Sequence, residues 1–382
     1  MGTGSILCRG CEADFGFAVP FHRCPGCGGP LSFSLDRSFP LAGIAGRPPG
    51  MWRYREALPA FEETVSLGEQ PTPLVAAAPR EFGREGVLFK CEYALPTGSY
   101  KDRGASTLVS YLKSTGVTEA VEDSSGNAGA SMAAYCARAG IGLKVFCPQS
   151  ASAGKLTQIL LYGAGLVRVP GPRPRATEAL LEHVEAAGSA YASHLWHPLF
   201  LEGIRTMAYE TAEQLGWSAP DYVLCPVGAG SILLGLFDGF SDLLAAGVVK
   251  RLPRLVAVQA ANAAAVCAAE QNGAGHVEPV RDPQPTLAEG IALPAPVRDR
   301  EVLHAIRASG GTAVAVGEEE IAAGAAALGR AGFCVEPTSA IVREGLRKLV
   351  ESDSPPPPGA TIVAVLSGHG LKASPALAEI LG

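Results

Sequence analysis

From Gly86 onward the chain alternates short apolar runs with segments of helical period, and that alternation leaves few folds open. GVLFKCE, TEAVEDS, GLKVFCP, GLVRVP, DYVLCP, LVAVQA, GTAVAV and TIVAVLS read as strands. Helices are expected after Lys101, after Asn127, from Ser152, over 176–187 and 201–215, from Ile232, and over 318–331 and 339–349. Apolar strands separated by helices belong in parallel sheets covered on both faces, so the fold class is α/β. At 382 residues the chain is long enough for two cores.

Charge narrows the partners. With 31 Lys and Arg against 37 Asp and Glu, the net charge of -6 argues against a broad phosphate-binding surface, and so against nucleic acid. The most apolar stretch, 232–249, is interrupted by Asp238, Ser241 and Asp242 and reads as a buried helix, so no membrane partner is expected. Met1 to Leu7 lacks a basic start followed by an apolar run, which makes the cytoplasm the expected compartment and free thiols the expected state of the cysteines.

Of the ten cysteines, Cys8 with Cys11 and Cys24 with Cys27 form two C-x-x-C pairs separated by twelve residues. Two such turns complete a closed tetrahedral set suited to structural Zn2+, as in zinc ribbons. Two disulfides or four free thiols are the competing reading, the disulfides disfavoured in a reducing compartment. Cys91, Cys136, Cys147, Cys225, Cys267 and Cys334 stand singly in or beside apolar stretches and read as small core residues.

Four joints between strand and helix could carry chemistry, because helix N-termini offer free N–H groups and a positive dipole end. Pro96 to Gly104 places Lys101 at the opening turn of a helix beside Arg103, where positive potential favours a neutral amine able to attack a carbonyl. A solvated surface lysine is the plainer alternative. Asp123 to Gly129 carries glycines on both sides of Asn127, and Pro226 to Ser231 repeats the same anion-cradling composition. After the last strand, Ser367 could exchange a hydrogen bond with a ring nitrogen, while His369 could be a loop residue only.

In this order and at these separations, PTGSYKDRG, DSSGNAGAS, PQSASAGKLTQ, FLEGIRTMAYE, LAEGIA, VEPTSA and SGHGLK resemble the fold-type II pyridoxal-phosphate enzymes, tryptophan synthase β-like in fold, and most closely the threonine synthases. The resemblance covers nearly the whole chain, and the cysteine pairs resemble the zinc element of some threonine synthase-like proteins. It implies that Lys101 binds pyridoxal 5'-phosphate covalently and then shuttles protons, and that Asn127 bonds the ring oxygen. Gly228, Ala229, Gly230 and Ser231 would hold the cofactor phosphate, and Ser367 would face the pyridine nitrogen. A neutral hydroxyl there leaves that nitrogen unprotonated and suits elimination. Ser125, Gly126 and Asn127 would receive the substrate carboxylate. Lys155 and Arg205 are candidates for a second anionic group, each with a surface ion pair as its alternative.

The function so implied is that of a lyase converting O-phosphohomoserine and water to threonine and phosphate, with a small amino acid as substrate and a homodimer as the expected assembly. A second reading is β-elimination or β-replacement on serine, threonine or O-phosphoserine, of dehydratase or cysteate-synthase type. Gly228-Ala229-Gly230-Ser231 looks like a dehydratase loop, and His197-Pro198 and Ala373 depart from the threonine synthase pattern. A non-catalytic zinc-ribbon scaffold is a third. The expected organisation is a zinc-ribbon-like knuckle at 1–35, a linker and part of the large domain at 36–95, a small α/β domain at 96–198 and a large cofactor-binding α/β domain at 199–382. Within the linker, 36–60 holds Pro40, Pro48, Pro49 and Pro59 with little periodicity and reads as extended chain wrapping the next domain.

Overall fold

Runs such as YVLCP, RLVAVQA and IVAVL are buried at nearly every position, which only a strand covered on both faces allows. A computed structural model describes residues 4–19, 21–151 and 153–382, the side chains of 153–155 excepted. The chain forms two compact units, Met1–Gln70 with Leu95–Thr206, and Pro71–Ala94 with Met207–Gly382.

In the first unit a four-stranded parallel sheet runs in the order Gly165–Val169, Gly142–Pro148, Glu119–Glu122, Ala190–Tyr191. Ser5–Cys8 pairs antiparallel with Leu31–Ser34 to make a separate two-stranded ribbon. Residues 36–60, expected as an extended linker, instead carry the helix Leu41–Ala45 and the 3-10 segment Met51–Ala57. Arg37 donates to Ala57 O at 2.5 Å, Arg47 pairs with Glu56, and the Trp52 indole N–H donates to Ser106 Oγ at 3.0 Å, so side chains rather than periodicity order this segment.

The helix expected over 201–215 breaks at Arg205 into Pro198–Ile204 and Thr206–Gln214. Pro198–Ile204 crosses the helix Lys101–Ser114 so closely that a Cβ on Gly203 would sit 1.8 Å from Arg103 O, and one on Gly104 would sit 2.6 Å from the Phe200 ring. Both glycines permit the crossing that fixes the start of the Lys101 helix.

The second unit holds a six-stranded sheet in the order Thr312–Val316, Arg254–Ala260, Tyr222–Pro226, Ile362–Leu366, Val87–Cys91, Leu74–Ala76. The last pairing is antiparallel, a departure from the expected all-parallel sheet, and follows the prolines at 71 and 73 onto a short edge strand. The helix Pro337–Val350 lays Ile341, Val342, Leu346 and Leu349 into the same core as Leu224, Val256 and Ile362. By contact, 36–70 and 199–206 group with the first unit and 71–94 with the second.

Lys90 lies on the strand Val87–Cys91 with no exposed surface, and its ammonium donates to Glu210 Oε1 at 2.5 Å, Gln214 Oε1 at 2.8 Å and Thr72 O at 3.0 Å. Removing one member of a buried pair strands the other charge. Glu210→Ala is expected to cost roughly 3–5 kcal/mol of stability, read as a lowered urea midpoint.

Candidate cofactor site

Lys101 is the first residue of its helix, and the turn before it is fixed by Asp102. The fully buried Asp102 carboxylate accepts from Thr97 N at 2.7 Å, Thr97 Oγ1 at 2.5 Å and Ser131 Oγ at 2.7 Å. The half-buried Lys101 amine lies 4.5 Å from the Tyr100 ring centroid and 5.6 Å from that of Phe200. Arg103, expected to lend its charge to this amine, is fully buried and donates to Thr206 Oγ1 at 3.0 Å.

In the same unit, Ser124–Asn127 forms the turn into the helix Asn127–Ala139, with Ser124 Oγ accepting from Gly126 N at 3.3 Å. Ser125 and Asn127 are half-buried and Gly126 is exposed, so the turn is open to a ligand. Arg205 is nearly buried and its Nε donates to Glu202 Oε1 at 3.0 Å, while Glu202 Oε2 receives Arg37 at 2.6 Å. That geometry favours the ion-pair alternative for Arg205. The side chain of Lys155 lies outside the described residues.

In the second unit, Gly228-Ala229-Gly230-Ser231 leads from Tyr222–Pro226 into the helix Ser231–Ala245. Gly230 has φ +84°, and a Cβ there would sit 2.4 Å from Val302 Cγ2; one on Gly228 would sit 2.7 Å from Ile291 Cα. Ile291 belongs to LAEGIA, and Gly290 N donates to Thr338 Oγ1 of VEPTSA at 3.0 Å, so two motifs without an assigned role brace this loop. Buried Ser367 lies 3.0 Å, Oγ to Oγ, from Ser339, which also accepts from Gly368 N at 2.7 Å. Sequence reasoning missed Ser339, although VEPTSA marked its place. His369 is a loop cap, its Nδ1 accepting from Leu371 N at 3.2 Å.

The family model for pyridoxal-phosphate dependent enzymes matches residues 65–368. A threonine synthase of Methanocaldococcus jannaschii is 37% identical over 332 residues, 85% of this chain and 81% of the relative. One of Methanosarcina acetivorans is 32% identical over 379 residues, covering 96% and 92%. The chain belongs to the threonine synthase family of pyridoxal-phosphate-dependent enzymes. Its fold type II architecture is shared with threonine deaminase isoform 2 of Solanum lycopersicum, at TM-score 0.72, 21% identity and 91% and 100% coverage. Maize serine racemase, at TM-score 0.68, 18% identity and 82% and 92% coverage, shares the fold as well.

The four knuckle thiols are free, and their sulfurs all lie within 4.8 Å of one another. Cys8 to Cys27 is 3.4 Å and Cys11 to Cys24 is 3.5 Å, far beyond a disulfide bond and near the ~3.8 Å edge of a tetrahedron with Zn–S bonds of ~2.3 Å. The two turns repeat each other: Cys8 N donates to Ala13 O and Cys24 N to Gly29 O, each at 2.9 Å, and Glu12 and Gly28 both have positive φ. Donation from Cys27 N, helped by Gly26 N against the effect of burial, lowers the Cys24 thiol to about 7. Of the six remaining cysteines five are buried, whereas Cys334 is exposed at a loop and is not a core residue. Among the described residues no helix is long and apolar enough to cross a membrane.

Asp102→Ala is expected to orphan Thr97 and Ser131, costing roughly 2–3 kcal/mol of stability, and to weaken pyridoxal-phosphate retention during gel filtration.

Proposed function

We propose that the chain is a threonine synthase, releasing phosphate from O-phosphohomoserine and adding water to give threonine. The observation that carries this reading is the likeness to a threonine synthase over 96% of this chain and 92% of that relative. When bound, pyridoxal phosphate supplies an electron sink for carbanion character at the substrate's α-carbon. Lys101 is assigned as its covalent anchor and afterwards as the base and acid that move the α-proton through Nζ. Aromatic faces on two sides of that nitrogen confine its reach.

The Gly228–Ser231 loop fits a phosphate: side chains are excluded by Ile291 and Val302, and backbone N–H groups open a fifteen-residue helix. Asn127 is assigned to the cofactor's ring oxygen, and with Ser125 and Gly126 to the substrate carboxylate. The single Ser339 proton has two acceptors, Gly368 O at 3.2 Å and Ser367 Oγ at 3.0 Å; when it goes to Ser367, the Ser367 proton is left to bond a ring nitrogen, which stays a neutral acceptor. With Arg205 held by Glu202, the substrate phosphate is assigned to Lys155. The Cys8, Cys11, Cys24 and Cys27 sulfurs fit structural Zn2+, which would supply the folding energy that a segment poor in apolar side chains lacks.

The composition Gly228-Ala229-Gly230-Ser231 favours a second reading, β-elimination or β-replacement on serine, threonine or O-phosphoserine. A panel of these substrates with O-phosphohomoserine separates the two: phosphate and threonine are expected from the last, and keto-acid from serine or threonine alone would move the assignment. Borohydride reduction is expected to fix the cofactor on Lys101 by peptide mass, and Lys101→Ala to lower turnover by about 10³-fold or more. Protein purified without added metal is expected to hold one zinc per chain, and Cys24→Ser to lose it with a drop in melting temperature.

A further inference from the structure

Beneath the Ser124–Asn127 turn lies a cluster with no assigned role. His194 Nδ1 is 2.6 Å from Glu122 Oε1, both residues are nearly or fully buried, and Glu122 Oε2 has no hydrogen-bond partner. Asp123 beside them accepts from Tyr191 OH at 2.9 Å and Thr177 Oγ1 at 2.7 Å. One donor atom each from Glu122, Asp123 and His194 would suit a cation, all within 4.8 Å. The charges of Lys101 and Arg173 bear on this spot and oppose one. A proton serves instead.

We propose that Glu122 and His194 share a single proton as a buried acid–base pair and through it set the charge of the Lys101 amine, acting as positioning residues for that nitrogen. The proposal rests on Lys101 being the cofactor's anchor. Phe200 neighbours both groups, its ring centroid 5.6 Å from Lys101 Nζ and 6.1 Å from the His194 ring. An ionised carboxylate with one oxygen unbonded is costly in a dry interior, whereas a carboxylic acid donating to a neutral imidazole is not.

Burial, reinforced by Asp123, pushes Glu122 well above the usual carboxylate range, against the pull of Arg173 and Lys101. Burial, with Lys101 and Arg173, pushes His194 well below the usual imidazole range. The other titratable groups facing the cluster are Tyr191 and Cys136, both held protonated by burial, and His22, lowered by burial and Arg23. With its proton the pair is neutral; without it the pair is an anion. The anionic form of the pair attracts a positive charge at the Lys101 nitrogen, and the neutral form does not.

The test is the pH midpoint of the visible absorbance change of the holoenzyme, read beside borohydride mapping. Glu122→Gln keeps the shape but cannot become an anion, and should lower the midpoint by roughly half a unit or more. His194→Asn offers Glu122 an amide N–H that favours the anion, and should raise it. Opposite shifts with an adduct on Lys101 support the pair. Equal shifts, no shift, or a shift reproduced by Glu122→Asp overturn it while leaving the anchor assignment standing. An adduct absent from Lys101 in the unaltered protein overturns both.

Discussion

The carboxylate of Asp102 decides where the Lys101 helix begins. Three donors from two segments converge on it, Thr97 by backbone and hydroxyl and Ser131 by hydroxyl, so the turn before Lys101 and the helix that starts at Asn127 are held as one piece. Gly104 and Gly203 complete the constraint by letting Pro198–Ile204 lie directly on the other side of the same helix. A lysine on a loop would sample many positions. Here its backbone is fixed by a buried ion and a helix crossing, leaving only the side chain to move.

Each unit solves the problem of holding anions in the same physical way. Glycine and small polar residues follow a buried strand, and the opening turn of the next helix begins at that joint. The first unit offers Ser124–Asn127, and the second offers Gly228–Ser231 braced by LAEGIA and VEPTSA. The bracing matters because a loop of this composition has no side chains with which to hold its own shape.

The strands were legible because apolar runs such as YVLCP and IVAVL can be satisfied in few ways, and the joints because glycine and serine cluster there for a stated reason. Pairings across long separations were not legible. Glu122 and His194 are 72 residues apart, Lys90 and Glu210 are 120 apart, and nothing in local composition says that these charges face each other inside a core. Segment 36–60 misled for the opposite reason, since its prolines signalled extension while Arg37, Arg47 and Trp52 carry its order through contacts. Ala190–Tyr191 is too short for any period to show.

The knuckle reaches further than its sequence position suggests. Val19 N donates to the Tyr111 hydroxyl at 3.0 Å, and the Phe17 ring lies 5.4 Å from the Tyr111 ring, so the amino-terminal segment grips the helix Lys101–Ser114 near its far end. That grip makes the cysteine cluster a clamp on the helix that carries Lys101. Loosening the cysteine cluster would then slacken the helix from the end opposite Lys101, with no atom of the turn before that lysine disturbed directly.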